Sequence, residues 1–455
     1  MIIDKLAEII ENARRAWAHA VPAGLTYDAV LDSYAGVRQN ARISGSLITA
    51  DNLQASKTLL AAITAGTSEA PRLIYMDPPF FTKAKYSEKL RLKTKDGSIE
   101  EFPLEHFSDK WNSGQDSDDF SDYLISVSAR IMAACDLLKD DGVLWLHIDH
   151  HAAHYLKVLT DEIFGGSGHL INEVIWQYKS GGSSKRRFAR KHDTLLFYAK
   201  NPKKYLFTPL EEKSYNRGRK PYRFKGVKEY RDDGGWYTLI GMRDVWQIDM
   251  VGRTAHERTG YATQKPENLL ERIVRSCTER GDLCADLYGG SGTLAAVADE
   301  LSRSWLSVDY SPVAALHTER RMAGRGAAFE ELTGHDIESA ELLKNDVDVP
   351  EIVIDVRVSD AMGADRKLVT IEVTGYEPPA GLKSVMISEF IAAMSADVYS
   401  EHEIFTPQAT VYGDSRLELM LTEEVLRHET KIAVRVIDIF GRHFMIAGEL
   451  PVRLP

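Results

Sequence analysis

The sequence is poor in cysteine and contains no long apolar run. Its 455 residues include three cysteines, Cys135, Cys277 and Cys284, and these form no CxxC pair. This count argues against a disulfide framework and a structural zinc site, and it favours a reducing, cytoplasmic location. No stretch approaches the roughly 18 consecutive apolar residues that a membrane span needs. Residues 1–20 are mixed in charge and indicate an amphipathic helix, not a secretory signal.

The sequence also lacks an overall positive charge, although one segment is strongly basic. The net charge is −11. Residues 179–231 contain 17 Lys and Arg against 4 Asp and Glu, whereas residues 336–455 contain 11 against 22. A basic segment of this size can contact a polyanion, although a solvated surface would show the same pattern.

Short apolar runs alternate with helical patterns through the middle of the chain. Strand patterns such as LIYM and VLWLHI are separated by helical patterns, which predicts an α/β fold built on a doubly wound, Rossmann-like sheet. After about residue 340 the sequence is acidic and β-rich with turn signals, which predicts a separate, mostly antiparallel module. We divide the chain into an N-terminal helical segment (1–44), a first half of the sheet domain (45–200), a basic insert (201–258), a second half (259–335) and a C-terminal β-rich domain (340–455).

The motif Asp77-Pro78-Pro79-Phe80 follows the strand pattern LIYM. The prolines fix the backbone and have no N–H donors, so the local carbonyls and the Asp77 carboxylate act as acceptors. A primary amine on a flat ring carries two N–H donors, which suit two adjacent acceptors, and Phe80 offers a flat face to the ring. The alternative interpretation is an ordinary turn, because Asp-Pro is common where a strand enters a loop.

A glycine-rich segment, DLYGGSGT at 286–293, lies between a strand pattern and a helical pattern. Glycines allow a tight turn and let a ligand approach the backbone closely. The Asp286 carboxylate suits an ammonium group, and Asp309, at the end of the next strand pattern, suits ribose hydroxyls. The segment alone would also fit a nucleotide site, but no Gly-Lys-Ser/Thr follows, so it is not a P-loop.

The order of the motifs is more informative than any one of them. DPPF at 77, the basic insert, TQKP at 263 and DLYGGSGT at 286 together resemble the β class of DNA amino-methyltransferases, and most closely the modification subunits of type III restriction systems. ADNL at 50 resembles the GDNL element of that class, and the resemblance covers about residues 46–321. The chain departs from the class at Tyr288, where phenylalanine is usual, and at Ala50, where glycine is usual. Its insert is also short for a type III subunit.

The resemblance implies transfer of a methyl group from S-adenosylmethionine to the N6 amine of a flipped adenine in duplex DNA, within a restriction-modification or related system. The catalytic residues that it implies are Asp77, Pro78, Pro79 and Phe80. The cofactor-binding residues that it implies are Asp51, Gln264, Lys265, Asp286, Tyr288, Gly290, Gly292 and Asp309. From the basic charge we expect DNA contacts at Lys185, Arg186, Arg187, Arg190, Arg217, Arg219, Lys220 and Arg223. No metal is expected, because methyl transfer needs none.

Several alternatives stay open. Cytosine N4 presents the same two donors as adenine N6, but enzymes that modify cytosine N4 more often carry Ser at the position of Asp77. A DNA-binding subunit could keep the fold without turnover. His147, His150, His151 and His154 suggest a metal site by their spacing, but we set this interpretation aside because methyl transfer needs no metal. Trp236 and Trp246 could stack on bases or pack within the insert.

The partners are only partly readable. We expect double-stranded DNA as the substrate, and we consider a homodimer and a subunit of a restriction or defence system. The acidic C-terminal module is a candidate for dimerisation or partner docking, or for a second lobe that faces DNA.

Overall fold

The structure is a computed structural model that describes most of the chain. The described residues are 2–32, 43–109, 119–179, 185–334, 352–360, 366–376, 386–399, 409–422 and 431–449. Within these ranges, no helix has both the length and the apolar character that crossing a membrane requires.

The described residues form a chain of α and β elements. The helices are α1 (Leu6–Ala18), α2 (Asn52–Thr64), α3 (Asp119–Leu137), α4 (Ala153–Phe164), α5 (Glu267–Cys277), α6 (Thr293–Glu300) and α7 (Pro312–Gly324). The strands before α5 are β1 (Leu25–Asp32), β2 (Gly45–Thr49), β3 (Leu73–Met76), β4 (Lys85–Lys93), β5 (Ile99–Ser108), β6 (Val143–Ile148), β7 (Leu170–Gln177), β8 (His192–Ala199), β9 (Glu211–Tyr215), β10 (Tyr230–Asp232), β11 (Gly235–Gly241) and β12 (Val245–Gln247). The later strands are β13 (Leu283–Asp286), β14 (Ser304–Asp309), β15 (Ala328–Gly334), β16 (Ile352–Asp360), β17 (Arg366–Tyr376), β18 (Ile391–Tyr399), β19 (Ala409–Tyr412), β20 (Arg416–Thr422), β21 (Lys431–Asp438) and β22 (His443–Glu449).

A ten-stranded sheet forms the centre, in the order β1-β15-β2-β14-β13-β3-β6-β8-β7-β12. The strands from β15 to β6 are parallel to one another. β8 runs antiparallel to both β6 and β7, and β12 is parallel to β7. β7 and β12 therefore point in the same direction as β6.

Helices cover both faces of this sheet. Successive residues of a strand point to opposite faces, and in β6 the residues Leu144, Leu146 and Ile148 join the core beneath α1 to α4. Val143 and Trp145 join the second core, beneath α5, α6 and part of α7. Because both faces are buried, the sequence of β6 is almost continuously apolar.

The order of the strands places a switch point between β13 and β3. From β3 the chain continues to β6 on one side, whereas from β13 it continues to β14 on the other. In open α/β sheets a crevice forms at such a point, outside the carboxyl ends of the strands. The predicted doubly wound, Rossmann-like α/β sheet is confirmed.

The N-terminal segment differs from the prediction, which was helical throughout. α1 is present, but the residues of β1 form an edge strand antiparallel to β15. The sequence of β1, LTYDAVLD, contains the β-branched and aromatic residues that favour strands, and pairing with β15 decides its conformation.

The basic insert is mostly a small sheet beside the main one. β10, β11 and β9 form three antiparallel strands. β12, near the end of the insert, instead pairs with β7 and extends the central sheet. The centre of the Trp246 ring on β12 lies 5.7 Å from the centre of the Trp145 ring on β6, so β12 packs on the apolar core of the central sheet.

The C-terminal module consists of two antiparallel sheets, β16-β17-β20 and β19-β18-β21-β22, with an apolar core between them. It contacts the domain of the central sheet through buried charges. Arg435 on β21 forms ion pairs with Glu319 on α7, at 2.9 Å, and with Glu331 on β15. Their side chains are 1%, 0% and 3% exposed. Burial raises the pKa of Glu319 to about 7, although Arg435 acts in the opposite direction.

We expect Arg435→Met to destabilise the protein by roughly 3–5 kcal/mol, because the substitution leaves two buried carboxylates without their cation. Chemical unfolding followed by circular dichroism measures this change. Arg416→Met is the matched control, since Arg416 and its partner Glu418 are 55% and 49% exposed. A similar free energy of unfolding for Arg435→Met and wild type would contradict the importance of this cluster.

Candidate active site

The DPPF motif and the glycine-rich segment lie side by side at the crevice. β3 pairs with β13 in parallel, with Tyr75 opposite Asp286, and the backbone N–H of Leu287 donates to the Tyr75 carbonyl at 3.4 Å. Asp77 therefore follows β3 where the glycine-rich segment follows β13. Two motifs more than 200 positions apart in the sequence line one cleft.

The side chain of Asp77 is 15% exposed and forms an ion pair with Lys265 of the TQKP segment. Its other oxygen, Oδ1, lies 3.8 Å from Nδ1 of His147, beyond hydrogen-bond distance. The Lys265 ammonium also lies 5.3 Å from the centre of the Phe80 ring. Lys265 thus contacts both side chains of the DPPF motif that are expected to hold a base.

A buried polar network supports this motif from below. His147 is fully buried, shares a 2.7 Å hydrogen bond with the Tyr75 hydroxyl and lies 3.3 Å from Asp193. Its ring is 5.7 Å from that of Phe80. Although burial acts in the opposite direction, the hydrogen bond and charge of His147 lower the pKa of Asp193. The signal in the sequence was a histidine inside an otherwise apolar strand, which we interpreted as a possible metal ligand.

Asp109 is a second residue that the sequence analysis missed. It is fully buried and accepts hydrogen bonds from the backbone N–H of Phe81, at 3.1 Å, and from the Thr82 hydroxyl, at 2.7 Å. Phe81 and Lys83 have positive φ angles of 59°, a strained conformation for residues other than glycine. Asp109 therefore holds the strained loop that follows Phe80.

The glycine-rich segment folds as a tight turn into α6. Gly290 and Gly292 have φ angles of 52° and 68°, which glycine adopts readily. A Cβ on Gly292 would lie 2.8 Å from Thr318, and one on Gly289 would lie 2.1 Å from the Ser307 hydroxyl. The glycines are needed both for the backbone conformation and for close packing on β14 and α7.

Two carboxyl groups flank this turn. Burial raises the pKa of Asp286, which is 5% exposed, to about 8. Asp309 accepts hydrogen bonds from the backbone N–H of Gly290 and of Ser311, both at 2.8 Å, and burial raises its pKa. Asp286 is thus a buried acid that a cationic ligand would stabilise in its ionised form.

Asp51 lies at the carboxyl end of β2 and begins α2. Its carboxylate accepts from the backbone N–H of Leu53 and Gln54, and it pairs with Arg130 at 2.7 Å. The next residue, Asn52, donates to the Leu287 carbonyl at 2.7 Å. The ADNL element therefore contacts the turn that carries Tyr288.

Two side chains of the TQKP segment, those of Gln264 and Lys265, have different roles. Gln264 donates to the Glu257 carbonyl and accepts from Thr259, so it braces its own loop. The Lys265 carbonyl accepts from the Thr293 hydroxyl at 3.1 Å, which fixes the segment on the start of α6. The structure thus brings Lys265 to Asp77 and uses the Gln264 side chain for hydrogen bonds within its own loop.

The basic residues expected to contact DNA lie at the surface. Lys185, Arg186, Arg187 and Arg190 are exposed in the loop between β7 and β8. Because β7 points in the same direction as β6, this loop leaves the sheet at the edge where Asp77 lies. Of the residues in the insert that were predicted to contact DNA, Arg217, Lys220 and Arg223 are exposed. The side chain of Arg219 lies outside the described ones.

The histidines and tryptophans set aside in the sequence have defined positions. Asp149 accepts from the backbone N–H of His151 at 2.8 Å and lies 2.7 Å from its ring nitrogen. His150 completes a group whose ligand atoms lie within 4.8 Å of one another. Trp246 is 6% exposed and packs in the core, whereas Trp236 is half-buried in β11.

Several known proteins are similar to this chain. The Type II methyltransferase M.EcaI of Enterobacter cloacae is 26% identical over 343 residues, which cover 62% of this chain and 70% of that protein. M.HpaI of Haemophilus parainfluenzae is 27% identical over 44% of this chain and 59% of its own length. M.BglII of Bacillus subtilis is 33% identical over 37% and 48%. The present chain therefore spans less than two thirds of the length of the last two relatives.

A solved structure and a family model were also found to be similar to this chain. The M1.HpyAVI-SAM complex matches 61% of this chain and 98% of its own, at 15% identity and a TM-score of 0.39, so the assignment of the fold rests on the sheet topology above. The model of the N6/N4 methylases, described as DNA methylase, matches residues 72–319, more than half of the chain. The chain belongs to this DNA methylase family, and the expected cofactor, S-adenosylmethionine, is confirmed as that of the family.

Proposed function

We propose that this chain transfers a methyl group from S-adenosylmethionine to the N6 amine of adenine in duplex DNA. The observation that carries the proposal is the meeting of Asp77, Phe80 and the glycine-rich segment at the carboxyl ends of β3 and β13. The target base must leave the helix, because its amine is out of reach inside a stacked duplex.

The cofactor fits the residues on the β13 side of the crevice. Asp286 would bind the ammonium group of the methionine part, and the carboxylate of Asp309 would bind the ribose. The turn at Gly290 brings backbone close to both. When bound, the cofactor supplies an electrophilic methyl group.

The β3 side would hold the base and its amine. Asp77 Oδ1 lies beyond hydrogen-bond distance of His147 and can accept from one N–H, while the Pro78 carbonyl accepts from the other. Lys265 holds the second oxygen of Asp77 and so fixes the carboxylate. Phe80 would stack on the ring. Most of the rate enhancement would then come from alignment, with a second contribution from polarisation of the amine by Asp77.

The choice of adenine rests on Asp77, because enzymes acting on cytosine N4 more often carry Ser at this position. Exposed cations between β7 and β8 and in the insert would neutralise phosphates, and the insert would read base edges. A role in a restriction-modification or related system, the similarity to type III subunits, a homodimer and a cytoplasmic location also remain proposals.

The first test is identification of the product. We expect purified protein to transfer tritium from labelled S-adenosylmethionine to DNA, and nucleosides from that DNA to contain N6-methyladenine by mass spectrometry. Finding N4-methylcytosine would overturn the choice of adenine. Absence of transfer would favour a DNA-binding subunit without turnover. Sequencing DNA from expressing cells with detection of modified bases gives the recognition sequence.

We expect Asp77→Asn to lower kcat at least about 100-fold, because one acceptor for the amine and the charge that polarises it are lost. Cofactor affinity, measured by calorimetry, should change little, since Asp77 lies on the base side of the crevice. Asp140→Asn is the matched control, because its exposed ion pair with Lys204 lies at the opposite end of the sheet. Equal losses of methylation and cofactor binding would show that Asp77 is structural.

We also expect cofactor binding to release protons from Asp286. This carboxyl group, with a pKa of about 8, is mostly protonated at pH 7 in the free protein. An ammonium group binds the ionised form, so affinity should rise up to about tenfold from pH 6 to pH 7. Calorimetry at pH 7 in buffers of different ionisation enthalpy counts the protons released. Asp286→Asn should remove the proton release; its persistence in that variant would contradict the assignment.

A further inference from the structure

Phe188 is an aromatic side chain that nothing in the described structure covers. It is 98% exposed, the highest value among the described large apolar residues that are exposed. Other aromatic residues near the crevice are packed: Phe80 lies against His147, and Phe81 lies 5.4 Å from Tyr123. Phe188 is therefore free to contact a ligand that approaches the crevice.

The loop that carries Phe188 is anchored beside the catalytic motif. Tyr178, directly after β7, donates to Asp193 at 3.0 Å, and Asp193 lies 3.3 Å from His147. His147 in turn lies beneath Phe80. One end of the loop is thus joined to the DPPF motif by three consecutive contacts, and the loop leaves β7 and enters β8 at the end of the sheet where Asp77 lies.

The residues around Phe188 suit DNA. Lys185, Arg186 and Arg187 precede it and Arg190 follows it, all of them exposed. Burial lowers the pKa of His150, at the end of β6. Asp149 raises it, and the charges of His151, Arg190 and Arg187 lower it further, so the two arginines act on a group at the same end of the sheet as Asp77. Cations that contact phosphates on both sides would direct the ring between them towards the bases.

We propose that Phe188 is the wedge that enters the DNA helix at the target base pair and fills the space left by the flipped base. Apolar side chains such as Phe and Leu enter base steps in other DNA-binding proteins and partly unstack them. Of the two tryptophans considered from the sequence, Trp246 is buried in the core and Trp236 is half-buried in β11. The inference rests on the proposed methylation of duplex DNA, but not on which base is modified.

The test uses duplex oligonucleotides that carry the recognition sequence found by modified-base sequencing. In one duplex the target base is paired, and in the other an abasic site replaces its partner. We expect Phe188→Ala to slow single-turnover methylation of the paired duplex at least about tenfold. On the abasic duplex we expect a loss of less than about threefold, because an unpaired base leaves the helix more easily. Phe188→Leu should keep most of the rate, since leucine can also act as a wedge.

Phe207→Ala is the matched control. Phe207 is 48% exposed, and the neighbouring Thr208 bonds to Ser276 near the end of α5, at the opposite edge of the sheet. An unchanged rate for Phe188→Ala, or equal losses on both duplexes, would overturn the wedge alone while wild type still methylates DNA. A wild-type protein that methylates no DNA would instead overturn the proposed function, and the wedge with it.

Discussion

The parallel pairing of β13 with β3 is the constraint on which the candidate active site depends. It places a strand from the second half of the chain beside one from the first, in register at Tyr75 and Asp286. The ion pair between Lys265 and Asp77 spans the same boundary between the two halves. A slip of one residue in this register would turn side chains to the other face of the sheet and separate the DPPF motif from the glycine-rich segment.

Polar groups around this pairing are buried to an unusual degree. His147, Asp193 and Asp286 all lie below 10% exposure, in or next to strands with apolar neighbours. Burial of such groups opposes folding unless they find partners. His147 and Asp193 find each other, whereas Asp286 accepts from the backbone N–H of Tyr288 at 2.9 Å and still has a raised pKa because it is buried, so it remains suited to a cation. Burial of the Asp286 carboxyl group therefore lowers the stability of the fold, while it prepares the crevice for a cationic ligand.

The C-terminal module is joined to the glycine-rich segment through α7. One side of α7 carries Glu319, which pairs with Arg435 of the module. From the same helix, Thr318 donates to the Gly290 carbonyl at 3.2 Å and Arg321 donates to the Ser291 carbonyl at 3.0 Å. α7 therefore contacts both the glycine-rich turn and the β-rich module. Through this helix the acidic module is connected to the candidate site.

Local sequence determined the elements and the motifs. The apolar pattern of β6, the prolines after Asp77 and the glycines near 290 specify a strand, an acceptor-rich turn and a tight turn, because each depends on neighbouring residues alone. The order of the motifs was sufficient to indicate the family. β1 was missed because its strand conformation depends on pairing with β15, nearly 300 residues away.

Only the tertiary structure decided which side chains meet. Three contacts show this: Lys265 pairs with Asp77, Gln264 bonds within its own loop, and Asp109 accepts from the backbone of the loop after Phe80. In each contact the residues are brought together by the pairing of strands or by the folding of a loop. The burial of Trp246 and the exposure of Phe188 have the same origin. Phe188 lies in the basic segment 179–231 and Trp246 in the insert 201–258, and the surroundings of each ring in the folded chain, not the local sequence, decide which one is buried and which one faces solvent.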